Sequence, residues 1–165
     1  MVVDIGGGTT EIAVISLGGI VVQDSIKVAG DVFTNDIQMY LRQQHNIKVG
    51  QITAEKIKIA IGAVIPNLEE EPEPYNITGP NLMTAHPVHA TITHQEIAHC
   101  LDKSVARIES GIILAGGGSL LRGLANRLTE KINIPFHVAE DPLRAVARGT
   151  CLALKNTENY TFLMR

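Results

Sequence analysis

The hydrophobic pattern opens as short β-rich runs separated by glycines. Met1-Val2-Val3 leads into Asp4 and a triple glycine, and Ile12 to Ile15 follows at once. Three consecutive antiparallel strands are expected over Val2 to Asp4, Glu11 to Ser16 and Ile20 to Val28, with Leu17-Gly18-Gly19 as the second turn. After Gly30 the period lengthens. Apolar residues at 33, 37, 40 and 41 make the stripe of an amphipathic helix over Asp31 to Gln44, stopped by His45-Asn46. A second helix is expected from Thr53 as N-cap, with Ile57, Ile61, Val64 and Ile65 on one face before Pro66.

Asn67 to Pro74, with four glutamates and two prolines, suits a solvated connection; an acidic metal site is the sharper alternative, but its carboxylates lack spaced partners. Tyr75 to Thr78, Leu82 to Thr84 and Val88 to Ile92 are expected as short strands, turned at Gly79-Pro80 and His86-Pro87. His86 and His89 have no third ligand at metal-binding spacing and are expected as loop histidines. Thr93-His94-Gln95-Glu96 is a capping box opening a helix whose stripe is Ile97, Leu101, Val105 and Ile108. An apolar strand over Gly111 to Ala115 then passes through Gly116-Gly117-Gly118-Ser119 into a helix with apolar positions 120, 121, 124, 125 and 128. Pro135 to Val138 is a last strand. Asp141-Pro142 starts a last helix with Leu143, Val146, Ala147, Thr150 and Leu154 on its apolar face.

The two glycine clusters carry the candidate chemistry. A hairpin needs one or two glycines, so the third in Gly6-Gly7-Gly8 suggests backbone N–H groups approached closely by a ligand such as a phosphate. Asp4 would then face a cation or an attacking water, and the bland alternative is a glycine-rich hairpin turn. The second cluster would let a flat ring or a phosphate lie on bare backbone at a helix start. Neither cluster has the spacing of a dinucleotide fingerprint, and no Gly-Lys-Ser/Thr occurs.

With 45% hydrophobic and 19% charged residues over 165 positions, the chain is expected to be soluble, globular and large enough for one core with a satellite lobe. No apolar run reaches the length of a membrane span. A net charge of −3 gives a nucleic-acid partner no electrostatic footprint. Cys100 and Cys151 are expected as buried thiols in a reducing cytoplasm, and the opening strand leaves no place for a signal peptide.

Taken together, DIGGGTTE and LAGGGSLLRG resemble the second phosphate loop and the adenosine loop of the actin-like ATPases. MVVDIGGGTTEIAVISLGGIVV, TAEKIKIAIG and HVAEDPLRAVARGT are similar, in order, to segments of the MreB family of bacterial rod shape-determining actin homologues. The resemblance implies an α/β, ribonuclease-H-like actin-type ATPase domain built from residues 1–29 and 94–155, with a small inserted α+β lobe at 30–93 and a tail at 156–165. It implies that Gly6, Gly7, Gly8 and Thr9 hold the β- and γ-phosphates of ATP, and that Asp4 positions a water-coordinated Mg²⁺. Glu55 and Lys58 match ribose and base contacts, although at i,i+3 they also suit a surface ion pair. Gly116, Gly117, Gly118 and Ser119 would lie against the adenosine.

The same resemblance implies self-association into filaments, inner-membrane morphogenesis proteins as partners, and a cytoplasmic location at the inner face of the membrane. It covers only the carboxy-terminal half of such a protein. The amino-terminal domain, with its own phosphate loop and the residue orienting the attacking water, is missing, which is consistent with Met1 being an internal methionine. Alone, this half is expected to be catalytically inactive. The sequence departs from the family between Ile108 and Gly111, where a helix runs almost directly into a strand; a deletion or an omitted segment is expected there. Ala145, Ala147 and Gly149 match a segment at the family's interdomain hinge, or are a small-residue packing face. A small-molecule kinase or a chaperone-type ATPase of the same superfold are the alternatives. The first needs a carboxylate base beside a polar pocket, and the second a peptide-binding domain.

Overall fold

The computed structural model describes residues 1–16, 19–106, 113–133 and 136–155. The expected turn at Leu17-Gly18, the helix end at Ile108, the junction to Gly111, Pro135 and the tail lie outside these residues.

A five-stranded sheet has the order β3-β2-β1-β6-β7. Strands β1 (Val2–Ile5), β2 (Thr10–Ser16) and β3 (Gly19–Ile26) form an antiparallel meander, as alternating β-branched residues around glycine turns dictate. On its other edge β1 pairs in parallel with β6 (Ile113–Ala115), Val3 beside Leu114, and β6 pairs in parallel with β7 (His137–Val138). A separate antiparallel hairpin joins β4 (Tyr75–Pro80) to β5 (Pro87–Ile92).

Helices α1 (Gly30–Gln44), α2 (Gln51–Ile61) and α3 (His94–Val105) pack together, α1 touching both others. Their stripes bury Phe33, Ile37 and Leu41, then Ala54, Ile57 and Ile61, then Ile97, Leu101 and Val105, in one cluster with Val3, Ile5 and Leu114 of the sheet. Helix α4 (Leu124–Ile132) adds Leu124 and Leu128.

Several boundaries differ from the sequence expectation, each for a traceable reason. Gly50, not Thr53, is the N-cap of α2, with its carbonyl accepting from the Thr53 and Ala54 N–H groups. That helix ends at Ile61, and the chain beyond it is taken up by Arg122, whose carbonyl accepts from the Val64 N–H and whose N–H donates to Gly62 O, a parallel bridge at Ala63. Leu82 to Thr84 is a turn, not a strand. The Asn81 side-chain oxygen accepts from the Met83 and Thr84 N–H groups at 2.9 and 3.1 Å, the local competition that Asn offers to ladder pairing. Gly79-Pro80 remains in β4 rather than turning.

The segment after the second glycine cluster is a 3₁₀ turn (Gly117–Leu120), and α4 begins only at Leu124, because Gly123 has a left-handed φ of 77°. Helix α5 (Ala145–Lys155) starts later than Asp141-Pro142 predicts. Residues 141–144 instead form a turn, closed by the Arg144 N–H on Asp141 O at 3.1 Å and tied to the second glycine cluster by the Gly116 N–H on Pro142 O at 2.8 Å. The apolar face expected for this segment stands open: Leu143, Val146 and Leu154 are 69%, 61% and 72% exposed. Periodicity marks a face as apolar without saying what covers it.

Cys151 is exposed, contrary to expectation, whereas Cys100 is half-buried. Burial, then the Asp36 carboxylate, pushes the Cys100 thiol up to about 12.

The capping box at Thr93 is present, and its Glu96 also reaches α1. One carboxylate oxygen accepts from the Thr93 N–H at 2.9 Å; the other lies 2.9 Å from His45 Nε2, at the carboxyl end of α1. Burial alone would raise this carboxyl, but the bonds from the Thr93 N–H, His45 and the Thr93 hydroxyl outweigh it and hold the group below its ordinary range. A depressed folded-state pKa contributes stability that is present above the ordinary value of 4.5 and is lost as pH falls through the folded value. Urea unfolding should therefore show Glu96→Gln less stable than wild type at pH 6, by about 1 kcal/mol. The gap should close towards pH 3, and an equal gap at both pH values would contradict this role.

Candidate functional site

The first glycine turn leaves β1 at Ile5 and is held from three sides. The Gly6 N–H donates to Thr9 O at 3.0 Å, while Gly6 O and Gly7 O accept from the Gly30 and Asp31 N–H groups at 3.0 and 2.7 Å. Loop carbonyls thus satisfy the first donors of α1, whose N-cap Ala29 has no side-chain acceptor. The buried Thr10 hydroxyl anchors the far side by donating to Val28 O at 2.6 Å.

Gly6, Gly7 and Gly8 do not adopt positive φ. A Cβ on Gly7 or Gly8 would come no closer than 3.6 Å to any atom, the nearest belonging to Asp31. Neither backbone conformation nor packing within the chain therefore requires glycine at 7 and 8. Among the described residues, the N–H groups of Gly7, Gly8 and Thr9 have no backbone partner. Three consecutive donors are thus without a backbone partner, as an anion cradle needs. Gly6 differs from its expected role, since its N–H closes the turn.

The second cluster divides differently. Gly116 has φ 76°, and a Cβ there would lie 2.4 Å from Asp4 Oδ1 and from Ile5 O. A Cβ on Gly118 would lie 2.2 Å from Ile5 Cγ2. These two glycines let the turn cross the end of β1. Only Gly117 is open, with Leu143 Cδ2 at 3.5 Å from its notional Cβ. The buried Ser119 hydroxyl donates to Gly116 O at 2.7 Å, so it fixes the turn.

Between the two turns lies a cavity of about 500 Å³. Gly6, Gly7, Gly30 and Asp31 line one end, Glu55, Lys58 and Ile59 one wall, and Gly117, Gly118, Leu120 and Arg122 the other, with Leu143 at the rim. Its size suits a small-molecule ligand. The aliphatic surfaces of Ile59, Leu120 and Leu143 can flank a flat ring, and Gly7 brings one unpartnered amide to the same lining.

Lys58 Nζ lies 2.8 Å from Glu55 Oε2 and also donates to Gly30 O and Thr34 Oγ1, each at 2.9 Å. Burial would raise the Glu55 carboxyl, yet its bonds to Lys58 and Thr34 prevail and hold it below the ordinary range. Glu55 and Lys58 are thus part of a built network rather than a free surface pair. Asp4 does not line the cavity. It stands opposite Glu11 across the β1–β2 ladder, and burial followed by that neighbouring carboxylate pushes its pKa up. Two facing carboxylates repel and favour a cation between or beside them. No cluster of three or more potential metal ligands occurs among the described residues. Asp31, Thr34 and Arg122 were not foreseen. Asp31 had a signal in the sequence, an acid in the first turn of a helix after a glycine, whereas Thr34 and Arg122 are brought in by packing.

The meander, the parallel β6 and β7 on its edge and the glycine turns facing each other across a cleft define an actin-like α/β domain. The chain superposes with a TM-score of 0.66 on a filament structure of MamK at 21% identity, a likeness of fold alone. It matches the MreB/Mbl protein family model over residues 1–110 and 107–161, and it belongs to that family. It is 40% identical to the cell shape-determining protein MreB of Escherichia coli over 175 residues, covering 94% of this chain and 50% of that protein. Identity to the cell shape-determining protein Mbl of Bacillus subtilis is 39% over 178 residues, covering 96% and 53%. A crystal structure of Spiroplasma citri MreB5 bound to AMPPNP superposes with a TM-score of 0.89 at 33% identity, covering 99% of this chain and 55% of that one. The chain spans about half the length of the relatives it matches. The two stretches matched by the family model overlap at residues 107–110, beside the junction where a departure from the family is expected from the sequence. Among the described residues, no helix is long and apolar enough to cross a membrane.

Proposed function

We propose that this chain is the second domain of an ATP-binding, filament-forming cytoskeletal protein that controls bacterial cell shape. The observation that carries the reading is the first glycine turn: Gly7 and Gly8 are required by neither conformation nor packing, and three consecutive amides without a backbone partner begin at Gly7, which lines the cavity. The Gly7, Gly8 and Thr9 amides hold phosphate oxygens, Glu55 faces the ribose, and the adenine lies over Gly117 between Ile59 and Leu120. Asp31 and Asp4 would lie close to a bound polyphosphate, and a Mg²⁺ ion would offset the repulsion between them and the phosphates, with Asp4 the residue that would help hold it. The nucleotide-bound relative supports this placement by its similarity over nearly the whole chain.

Residues 1–29 and 94–155 form the nucleotide-holding core in this reading, and 30–93 the smaller lobe. The remaining half of a family-length protein closes the cleft. It also covers surfaces that stand open: the half-exposed pair Ile15 and Ile20 with Ile113 on the sheet, and Leu143, Val146 and Leu154 at α5. Filament contacts and inner-membrane partners belong to that complete protein, at the cytoplasmic face of the membrane.

Calorimetric titration of the chain with ATP and Mg²⁺ is expected to give weak, saturable binding. Lys58→Ala should weaken it about tenfold, equivalent to ~1.4 kcal/mol. Absence of binding to the wild-type chain, at nucleotide concentrations well above millimolar, would remove the reading.

A further inference from the structure

Thr34 lies one turn into α1, and its residue is 1% exposed. Its Oγ1 is 2.5 Å from Glu55 Oε2, 2.9 Å from Lys58 Nζ and 2.9 Å from Gly30 O. A hydroxyl has one proton to give. The shortest contact is the one to the carboxylate, as a charge-assisted bond should be, so Thr34 donates to Glu55 and accepts from Lys58.

The ammonium of Lys58 has three protons and three acceptors within 2.9 Å: Gly30 O, Thr34 Oγ1 and Glu55 Oε2. Nothing remains of it for a ligand. The group left over is the second carboxylate oxygen of Glu55, which has no partner among the described residues, on a side chain 43% exposed at the cavity wall. An ionised carboxylate oxygen only accepts, so it takes a hydroxyl and repels a phosphate.

We propose that Thr34 is a positioning residue that sets the sugar selectivity of the site. Its hydroxyl holds one oxygen of Glu55 against Lys58 so that the other is presented to a sugar hydroxyl. Lys58, from which Thr34 accepts, also donates to Gly30 O, and the Gly30 N–H donates to Gly6 O, so the same network ties the sugar-binding wall to the phosphate turn. This inference rests on the nucleotide-binding reading above. It adds a buried residue that touches no ligand and acts through Glu55.

The test is equilibrium binding of ATP, 2′-deoxy-ATP and 3′-deoxy-ATP, each with Mg²⁺, to wild type, Thr34→Val and Thr34→Ser. Valine keeps the shape and removes the hydroxyl; serine restores it. Wild type should prefer ATP to at least one deoxy analogue by roughly tenfold, the range of a hydrogen bond to a charged group. In Thr34→Val that preference should fall below about twofold, and in Thr34→Ser it should return. A merely structural defect would weaken all three nucleotides in proportion and leave the ratio unchanged, which would overturn the proposal. Equal binding of the three nucleotides by wild type would overturn it too, while leaving the nucleotide site standing. Failure of wild type to bind any of them would remove the site reading and this inference with it.

Discussion

Replacing Gly116 by alanine is expected to cost the domain about 3 kcal/mol or more, measured as a fall in the urea midpoint at unchanged slope. Two effects add. The backbone at φ 76° and ψ 169° is a region that side chains other than glycine enter only under strain. The new methyl would also lie 2.4 Å from Asp4 Oδ1 and from the Ile5 carbonyl, and the latter cannot move without shifting β1 at the centre of the sheet. Gly117→Val should behave in the opposite way. Its side chain meets only Leu143, an exposed residue, so stability should stay within about 0.5 kcal/mol of wild type. Nucleotide binding should drop tenfold or more, because the methyl groups occupy the surface against which the ring lies. If Gly116→Ala were as stable as wild type, the packing role given to that glycine would be wrong. If Gly117→Val bound nucleotide normally, the ring would have to lie elsewhere.

The second large effect is on turnover. This chain, with saturating ATP and Mg²⁺, is expected to release phosphate no faster than the nucleotide does in buffer. In the proposed site the amides of Gly7, Gly8 and Thr9 hold the phosphates from one side only, and water on the other side keeps the local dielectric high and weakens each charge-assisted contact. Asp4, the carboxylate expected to face a cation or an attacking water, does not line the cavity. Positioning of the attacking water therefore has to come from elsewhere, and a general base held in place is worth about 10²–10⁴-fold in rate. Supplying the complementary half of a family-length protein in trans should raise phosphate release by that order. Vigorous hydrolysis by the chain alone would revive the reading of a complete enzyme.

Legibility in the sequence tracked how local each determinant is. The meander β1–β3 follows from alternating residues around glycines, and the capping box at Thr93 from four consecutive side chains, so both were readable. The strand at residues 113–115 was readable as a strand, but its place beside β1 depends on pairing across more than a hundred residues. The candidate site was legible as a set of positions and only partly as a set of roles. Gly116, Gly117 and Gly118 look alike in sequence. The crossing of β1 makes two of them packing requirements and leaves one facing the cavity.

By itself, then, the sequence determined the elements, their amphipathic faces and the family to which their order belongs, because hydrophobic period and turn chemistry act over a few residues. Only the tertiary structure decided where α2 stops, why α5 begins late, that the Gly6 amide is already used, and that Lys58 is fully occupied by Gly30, Thr34 and Glu55. Each of these turns on a hydrogen bond between groups distant in the chain or on the finite number of protons a group can donate. Neither is fixed until the backbone has brought those groups together.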